Sequence, residues 1–328
     1  MRAGLIGVGA AVPEKILTNA DLEKMVDTND EWITTRTGIK QRHIAAPGEA
    51  ASDYAIKAGK IAMERAGITA EDLDLIIIAT ITADSPLPAC ASIVQDKLGA
   101  THAAAFDLQA GCTGWVYALS VARNFVENGA AKNVLAVGVD LLSTITNWTD
   151  RTTCVLFGDG AGAGIVSAMK DDEYGFYDFV LGSDGSGAPA LSIEAGGSRV
   201  PITHEALDEH RNKVVMNGRE VFKFAVKVQG DAAELILNRA GLSMEDVDLV
   251  VPHQANVRII ESAVKRLGIP EEKFYVNIPR YGNTSAASIP IALNEAIEAG
   301  RVKKGNNILL VGFGAGLTWG AGVMKWAY

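Results

Sequence analysis

The sequence predicts an α/β architecture built twice, on three observations. Residues 64–78 read ERAGITAEDLDLIII and residues 238–252 read NRAGLSMEDVDLVVP, with Arg65, Ala66, Gly67, Glu71, Asp72, Asp74 and Leu75 recurring at an offset of 174. The same offset places NVLAVGV (133–139) on NILLVGF (307–313). Each copy also alternates helical spacing with short, wholly apolar runs, the pattern of strands covered by helices on both faces. Helix–turn–strand units look alike by chance, but two segments sharing one long offset point to an internal duplication. The boundary falls near residues 167–175 and divides the chain into halves 1–170 and 171–328, packed as one body about a pseudo-twofold axis.

In the first half, DYAIKAGKIAMERAG has helical periodicity and stops at Gly67. DLIIIAT reads as a short buried strand. WVYALSVARNFVENG is apolar nearly all round, so it predicts a central helix. NVLAVGVD is a second buried strand. The stretch FGDGAGAGIV (157–166) lacks both G-K-[ST] and the strand–GxGxxG–helix order, so it is read as small residues between strands and not as a phosphate loop. In the second half, DLVVP predicts a strand and NVRIIESAVKRLG (256–268) an amphipathic helix with Val257, Ile260, Val264 and Leu267 on its buried face. SAASIPIALNEAIEAG is the counterpart of the central helix. VGFGAGLTWGAG (311–322) follows the strand NILLV, and its close backbone approach offers an N–H to an oxyanion.

Composition narrows the function. The 328 residues are 48% hydrophobic and 21% charged, enough for a sizeable core in one large domain or two intimate ones. A net charge of -9 disfavours a generic nucleic-acid surface, although a local basic patch for an acidic partner stays open. Cys90, Cys112 and Cys154 lie far apart, with no spacing for a zinc site or a disulfide framework; their odd number fits a reducing compartment. No apolar run approaches the roughly 20 residues that span a bilayer. The start of the chain lacks the full signal-peptide pattern, so the expected location is cytoplasmic, with no membrane partner.

Gly111-Cys112-Thr113 opens the first central helix, and Gly282-Asn283-Thr284 is read as its match in the second half. His253 follows the strand DLVVP as Ala79 follows DLIII. The pseudo-twofold therefore gathers Cys112, His253 and Asn283 into one cleft. A helix N-terminus is expected to lower the pKa of a thiol such as Cys112. Cys90 and Cys154 read as buried, inert thiols. Gln254 and Asn256, beside His253, look too polar for a core. His43, His102, His204 and His210 have no comparable setting and read as surface residues. Asn283 alone reads as a helix N-cap; the repeat symmetry raises the functional reading.

The order and spacing of seven stretches resemble the decarboxylating condensing enzymes of the thiolase-like superfamily, in particular bacterial 3-oxoacyl-[acyl-carrier-protein] synthases III. They are NDEWITTRTGIKQRHIA (29–45), GCTGWVYAL, TDRTTCVLFGDGAGA, MNGREVFKFAV (216–226), HQANVRII, YGNTSAASIPIAL and GFGAGLTWGA. The resemblance runs the full length and implies a thiolase-like α/β/α/β/α body. It makes Cys112 the nucleophile that takes an acyl group from a short acyl-CoA. It also makes His253 and Asn283 the donors that stabilise the enolate formed when malonyl-acyl carrier protein loses CO2. The backbone N–H groups of Cys112 and Ala315 would hold the acyl-transfer oxyanion. Coenzyme A binding maps to Trp32, Arg36, Arg151, Phe222 and Asn256, with the indole stacking on adenine and the arginines meeting phosphates. Leu87 stands where acetyl-preferring relatives have phenylalanine, and the resemblance carries this segment to the acyl pocket of a partner subunit in a homodimer. No metal or cofactor is implied. Arg258 and Lys265 form a basic stripe suited to an acidic carrier protein.

Other readings are separable. A biosynthetic thiolase needs a second cysteine near the C-terminus, and none follows Cys154. An elongating synthase has histidine in place of Asn283. A Cys-His hydrolase explains neither Asn283 nor the duplication, and a non-enzymatic carrier-binding protein does not explain all three site residues. A polyketide- or quinolone-type condensing enzyme shares Cys-His-Asn and is the serious alternative.

Overall fold

The computed structural model describes residues 1–328. Two mixed sheets form its frame. The first contains β1 (Ala3–Ala11), β2 (Leu75–Ala79), β3 (Ala104–Leu108), β4 (Asn133–Leu141) and β5 (Asp159–Ala168), in the spatial order β1-β5-β4-β2-β3. The second contains β6 (Gly175–Ser183), β7 (Leu249–Pro252), β8 (Asn307–Gly314) and β9 (Thr318–Lys325), in the order β7-β8-β9-β6. β2 pairs in parallel with both β3 and β4 in the first sheet, and β7 pairs in parallel with β8 in the second; in each sheet two antiparallel neighbours follow. The register repeats as well: Leu75 pairs with Val134 and Leu249 with Ile308, both displaced by the offset seen in the sequence. No full strand matches β3 in the second sheet, where only a bridge between Val250 and Phe274 remains.

The repeated sequence motif has a definite job. Asp74 Oδ2 accepts from the N–H of Asn133 at 3.0 Å, and Asp248 Oδ2 accepts from Asn307 at 2.8 Å. Asp72 accepts from the backbone and hydroxyl of Thr69, and Asp246 does the same with Ser243. These carboxylates cap the turn entering the first parallel strand and tie it to the start of the second. That is why acidic residues are repeated beside otherwise apolar strands.

The α-helices longer than five residues are α1 (Asp30–Thr37), α2 (Ala51–Ala66), α3 (Cys90–Leu98), α4 (Gly114–Glu127), α5 (Gly218–Ala240), α6 (Val257–Leu267) and α7 (Ser288–Glu298). Along β2, Leu75, Ile77 and Ala79 face one apolar cluster while Ile76 and Ile78 face another, the period-2 alternation of a strand buried on both sides. The inner cluster contains Trp115 and Leu119 of α4 and Ile289 and Leu293 of α7, together with residues from both sheets. α2 and α3 cover the first sheet, and α5 and α6 cover the second. The body is therefore α/β/α/β/α, with α4 and α7 as the middle layer. Glycine permits the central contact: a Cβ on Gly114 would lie 2.9 Å from the Cβ of Ala79. Gly162 of the glycine-rich stretch is in β5, where a Cβ would meet Pro290 at 2.6 Å, so the small residues there serve packing of α7.

Each half carries a long excursion after its first strand, residues 12–50 and 184–217. The first holds α1. The second holds a small hairpin, Leu191–Ile193 against Val214–Met216. The second lines the site through Leu191, Val214 and Met216. On α6 the buried stripe is Ile259, Ile260, Ala263 and Leu267. Val257 and Val264, expected on that face, are only half-buried. The stripe is rotated because Val257 packs sideways against the left-handed turn at Gly38, where a Cβ would meet its side chain at 2.8 Å.

Candidate active site

Three positions at the ends of core elements converge. The turn Gly111–Thr113 precedes α4, with Gly111 at φ +53°. Its counterpart before α7 is Ser285–Ala287, with Ser285 at φ +50°. The true partner of Cys112 is thus Ala286. Asn283 lies three residues earlier, which corrects the expected match with Gly282-Asn283-Thr284. The sequence misleads here because glycine supplies the left-handed conformation in the first half and serine in the second.

A tunnel of about 100 Å³ is lined by Cys112, His253 and Asn283, together with Phe157, Phe222 and Asn256. It adjoins an apolar cavity of about 250 Å³ that also touches Cys112 and is walled by Ile81, Leu142, Ile145, Leu191 and Val214. Leu191 and Val214 come from the hairpin of the second excursion, whose strands of three residues each give little local signal in the sequence.

Cys112 is partly buried. Burial pushes its thiol up to about 11, and the buried carboxylate of Asp140 adds to the rise. The Ser285 hydroxyl and the N–H groups of Cys112 and Ala315 oppose it without overcoming it. The expected lowering by the helix N-terminus is therefore reversed: desolvation of the thiolate outweighs the donors around it. Those two N–H groups face the same sulfur. Their closeness depends on glycine, since a Cβ on Gly314 would lie 2.5 Å from the Cys112 nitrogen. Thr318 Oγ1 holds the loop by reaching Ala110 O at 2.9 Å and Ala315 O at 3.0 Å. No sequence signal singled out Thr318 or Asp140.

His253 is buried, its ring edge-on to Phe313 with centroids 5.2 Å apart. Burial lowers its pKa to about 3, so the imidazole is neutral. Nδ1 lies 2.6 Å from Ser288 Oγ. Asn283 is held by its backbone, which exchanges hydrogen bonds with Leu156 and Gly158 of the first half at 2.9 and 3.0 Å. Its Oδ1 accepts from the Ser285 N–H at 2.9 Å, which leaves the amide NH2 free to donate. It is not the N-cap of α7, which Ala287 occupies.

Gln254 turns out to be a structural staple. Its amide donates to Pro252 O and Tyr275 O and accepts from the N–H groups of Asn277 and Ile278. Asn256 caps α6 through the Arg258 N–H at 2.9 Å and donates to Arg36 O at 3.0 Å. His43, read as a surface residue, is half-buried, with Nδ1 2.6 Å from Pro13 O and its ring stacked on Tyr281. Cys90 and Cys154 are fully buried, and burial raises both thiols.

The guanidinium carbons of Arg36 and Arg151 lie over the Trp32 ring, 5.0 and 5.9 Å from its centroid, and none of the three lines the tunnel. Arg151 also pairs with Asp27 at 3.1 Å. Arg258 is exposed, 5.8 Å over the Phe222 ring, while Arg266 is occupied by Asp231 and Glu234. Arg258 and Lys265 have no ion-pair partner. Leu87 is 85% exposed and does not line the cavity of its own chain. No group of His, Cys, Asp and Glu side chains is placed to hold a metal ion, and no helix is long and apolar enough to cross a membrane.

Two family models match, the 3-oxoacyl-[acyl-carrier-protein] synthase III model over residues 106–185 and the model of the C-terminal part of that enzyme over residues 237–326. A β-ketoacyl-[acyl-carrier-protein] synthase III of Caldanaerobacter subterraneus is 55% identical, covering 99% of this chain and 98% of its own. Two crystal structures of 3-oxoacyl-[acyl-carrier-protein] synthases III superpose with a TM-score of 0.92: the Thermus thermophilus enzyme at 50% identity, covering 99% of each chain, and the Aquifex aeolicus enzyme at 46%, covering 99% of this chain and all of its own.

Proposed function

Because the chain belongs to the 3-oxoacyl-[acyl-carrier-protein] synthase III family, we propose that it joins an acyl-CoA primer to malonyl-acyl carrier protein and so initiates fatty acid synthesis. The observation that carries this reading is the single tunnel shared by Cys112, His253 and Asn283. Cys112 attacks the acyl-CoA thioester, its proton leaves on the coenzyme A thiol, and the acyl group stays on sulfur. Malonyl-acyl carrier protein then enters. Loss of CO2 leaves an enolate whose thioester oxygen accepts from His253 and from the Asn283 amide. The enolate carbon attacks the acyl-cysteine, and the resulting oxyanion is held by the Cys112 and Ala315 N–H groups. Collapse expels Cys112 as thiolate, which takes up a proton from solvent, and releases 3-oxoacyl carrier protein.

Decarboxylation itself makes the carbanion, so a neutral histidine suffices and no base is needed. Both the resting thiol and the acyl thioester of Cys112 are uncharged, as its buried setting favours. The reading includes no cofactor beyond the substrates, two thiolase-like halves meeting near residue 170, a homodimer and a cytoplasmic location. Trp32, Arg36 and Arg151 would bind the adenine nucleotide end of coenzyme A, the adenine taking the place one guanidinium holds on the indole. Phe222 and Asn256 would flank pantetheine. The polyketide- or quinolone-type alternative is not favoured by the relatives described above.

The primer is larger than acetyl in this reading. An apolar cavity of about 150 Å³ admits benzene, and the cavity beside Cys112 is about 250 Å³. Mass spectrometry after mixing with a panel of acyl-CoAs, followed by malonyl carrier protein, tests the scheme. One acyl group on Cys112, lost as 3-oxoacyl carrier protein forms, is the expected result; malonyl turnover without acyl-enzyme would overturn it.

A further inference from the structure

We propose that Ser288, at the start of α7, is a positioning residue that fixes the tautomer of His253 so that Nε2 carries the ring proton. This rests on the condensing reading above, in which His253 must donate to the malonyl thioester oxygen.

The argument is one of proton accounting. Ser288 Oγ meets two partners, His253 Nδ1 at 2.6 Å and the backbone N–H of Gln254 at 3.4 Å. The Gln254 N–H can only donate, so it occupies a lone pair of Oγ. The hydroxyl proton of Ser288 then has one acceptor, Nδ1. If Nδ1 carried a proton instead, two donors would converge on Oγ and its own proton would have no partner. Both residues are buried, where an unmet donor is costly. A neutral ring with Nδ1 accepting must hold its proton on Nε2. Nε2 makes no hydrogen bond within the protein, and His253 lines the tunnel.

The duplication supports the pairing independently. The counterparts of His253 and Ser288 in the first half are Ala79 and Gly114, which touch so closely that a Cβ on Gly114 would sit 2.9 Å from the Ala79 Cβ. The same junction between strand end and central helix is closed in one half and carries a hydrogen-bonded pair in the other.

The test uses ¹⁵N-histidine-labelled full-length protein. Long-range ¹H–¹⁵N correlation should show a pyridine-type Nδ1 and a pyrrole-type Nε2 for His253, assigned by the signal missing in His253→Ala. Ser288→Ala should populate both tautomers. Decarboxylation of malonyl carrier protein should fall by at least about tenfold, short of the ~10⁴-fold that a wrong tautomer costs a serine protease. Acylation of Cys112 should stay within about twofold, because this step does not use His253 as a donor. Ser288→Cys, with its weaker donor at similar volume, should give a smaller loss and serves if the alanine variant does not fold. A proton on Nδ1 in the unmodified protein overturns the proposal. So does a Ser288→Ala protein with the original tautomer and full decarboxylation. The spectrum needs no substrate, so it decides the role of Ser288 even if the condensing reading fails.

Discussion

Gly111 and Ser285 adopt the same left-handed backbone, φ +53° and +50°, at equivalent turns ahead of the two central helices. The residues that follow them differ in use. The N–H of Cys112 faces its own sulfur, alongside that of Ala315. The N–H of Ala286 is instead taken by the buried carboxylate of Asp140, at 3.3 Å. One turn is open for an oxyanion and the other is closed by a side chain. The two halves thus differ at this turn, and the strain of a non-glycine residue at φ +50° is kept where the Ser285 N–H holds the Asn283 side chain.

Cys112 should be the sole acylated residue. Incubation with a short acyl-CoA adds one acyl group to the native protein and none to Cys112→Ala, as intact and peptide mass spectra will show. A label on Cys90 or Cys154 would contradict this.

The raised thiol pKa gives a pH signature. The free enzyme holds Cys112 protonated at pH 7, and its thiolate fraction grows about tenfold per pH unit until about pH 11. Alkylation by iodoacetamide should therefore keep rising through pH 9. A plateau reached by pH 7 would mean that the turn lowers the pKa after all.

His253→Ala and Asn283→Ala should still be acylated but lose roughly 10²–10³ in malonyl decarboxylation, the usual effect of one oxyanion donor. With His253 neutral down to about pH 3, decarboxylation by the native enzyme should show no histidine inflection between pH 5 and 8. Stopped assays of CO2 release measure both.

Much of this was legible in the sequence because it is periodic. The offset of 174 marks the duplication, which the paired registers share, and wholly apolar runs mark strands buried on both faces. Long-range placement was less legible. Gln254 and Asn256 looked functional by polarity, yet Gln254 spends every polar atom on the loop at 275–278. Thr318 and Asp140 act through contacts more than 100 residues away, which no local pattern records. At Cys112 the helix terminus is visible in the sequence, whereas the burial that opposes it is not.

Leu87→Phe should shift primer preference toward acetyl-CoA. Leu87 is 85% exposed on its own chain, so its effect requires a second subunit. Competition between acetyl-CoA and a longer acyl-CoA measures the ratio of kcat/KM. An unchanged ratio would show that the walls at Leu142, Ile145 and Val214 set the length without residue 87.

Arg258→Glu should weaken docking of malonyl carrier protein. Arg258 and Lys265 are exposed on α6 of a chain with net charge -9, beside the tunnel mouth at Phe222 and Asn256. Arg266 is tied to Asp231 and Glu234, so it adds little to the stripe. Acyl carrier proteins are strongly acidic, and opposite charge at a rim raises the encounter rate more than it tightens the final complex. KM for malonyl carrier protein should rise, and the gap from the native enzyme should close as salt rises, since the screening length falls from about 10 Å at 0.1 M to about 3 Å at 1 M. Acylation of Cys112 by acyl-CoA should change far less. One complication is local: Arg258 also lies over the Phe222 ring, so its loss disturbs the tunnel wall. Lys265→Glu has no such contact, and the same salt-dependent loss in that variant would separate docking from damage to the tunnel. Equal losses for both substrates, insensitive to salt, would remove the docking role from this face.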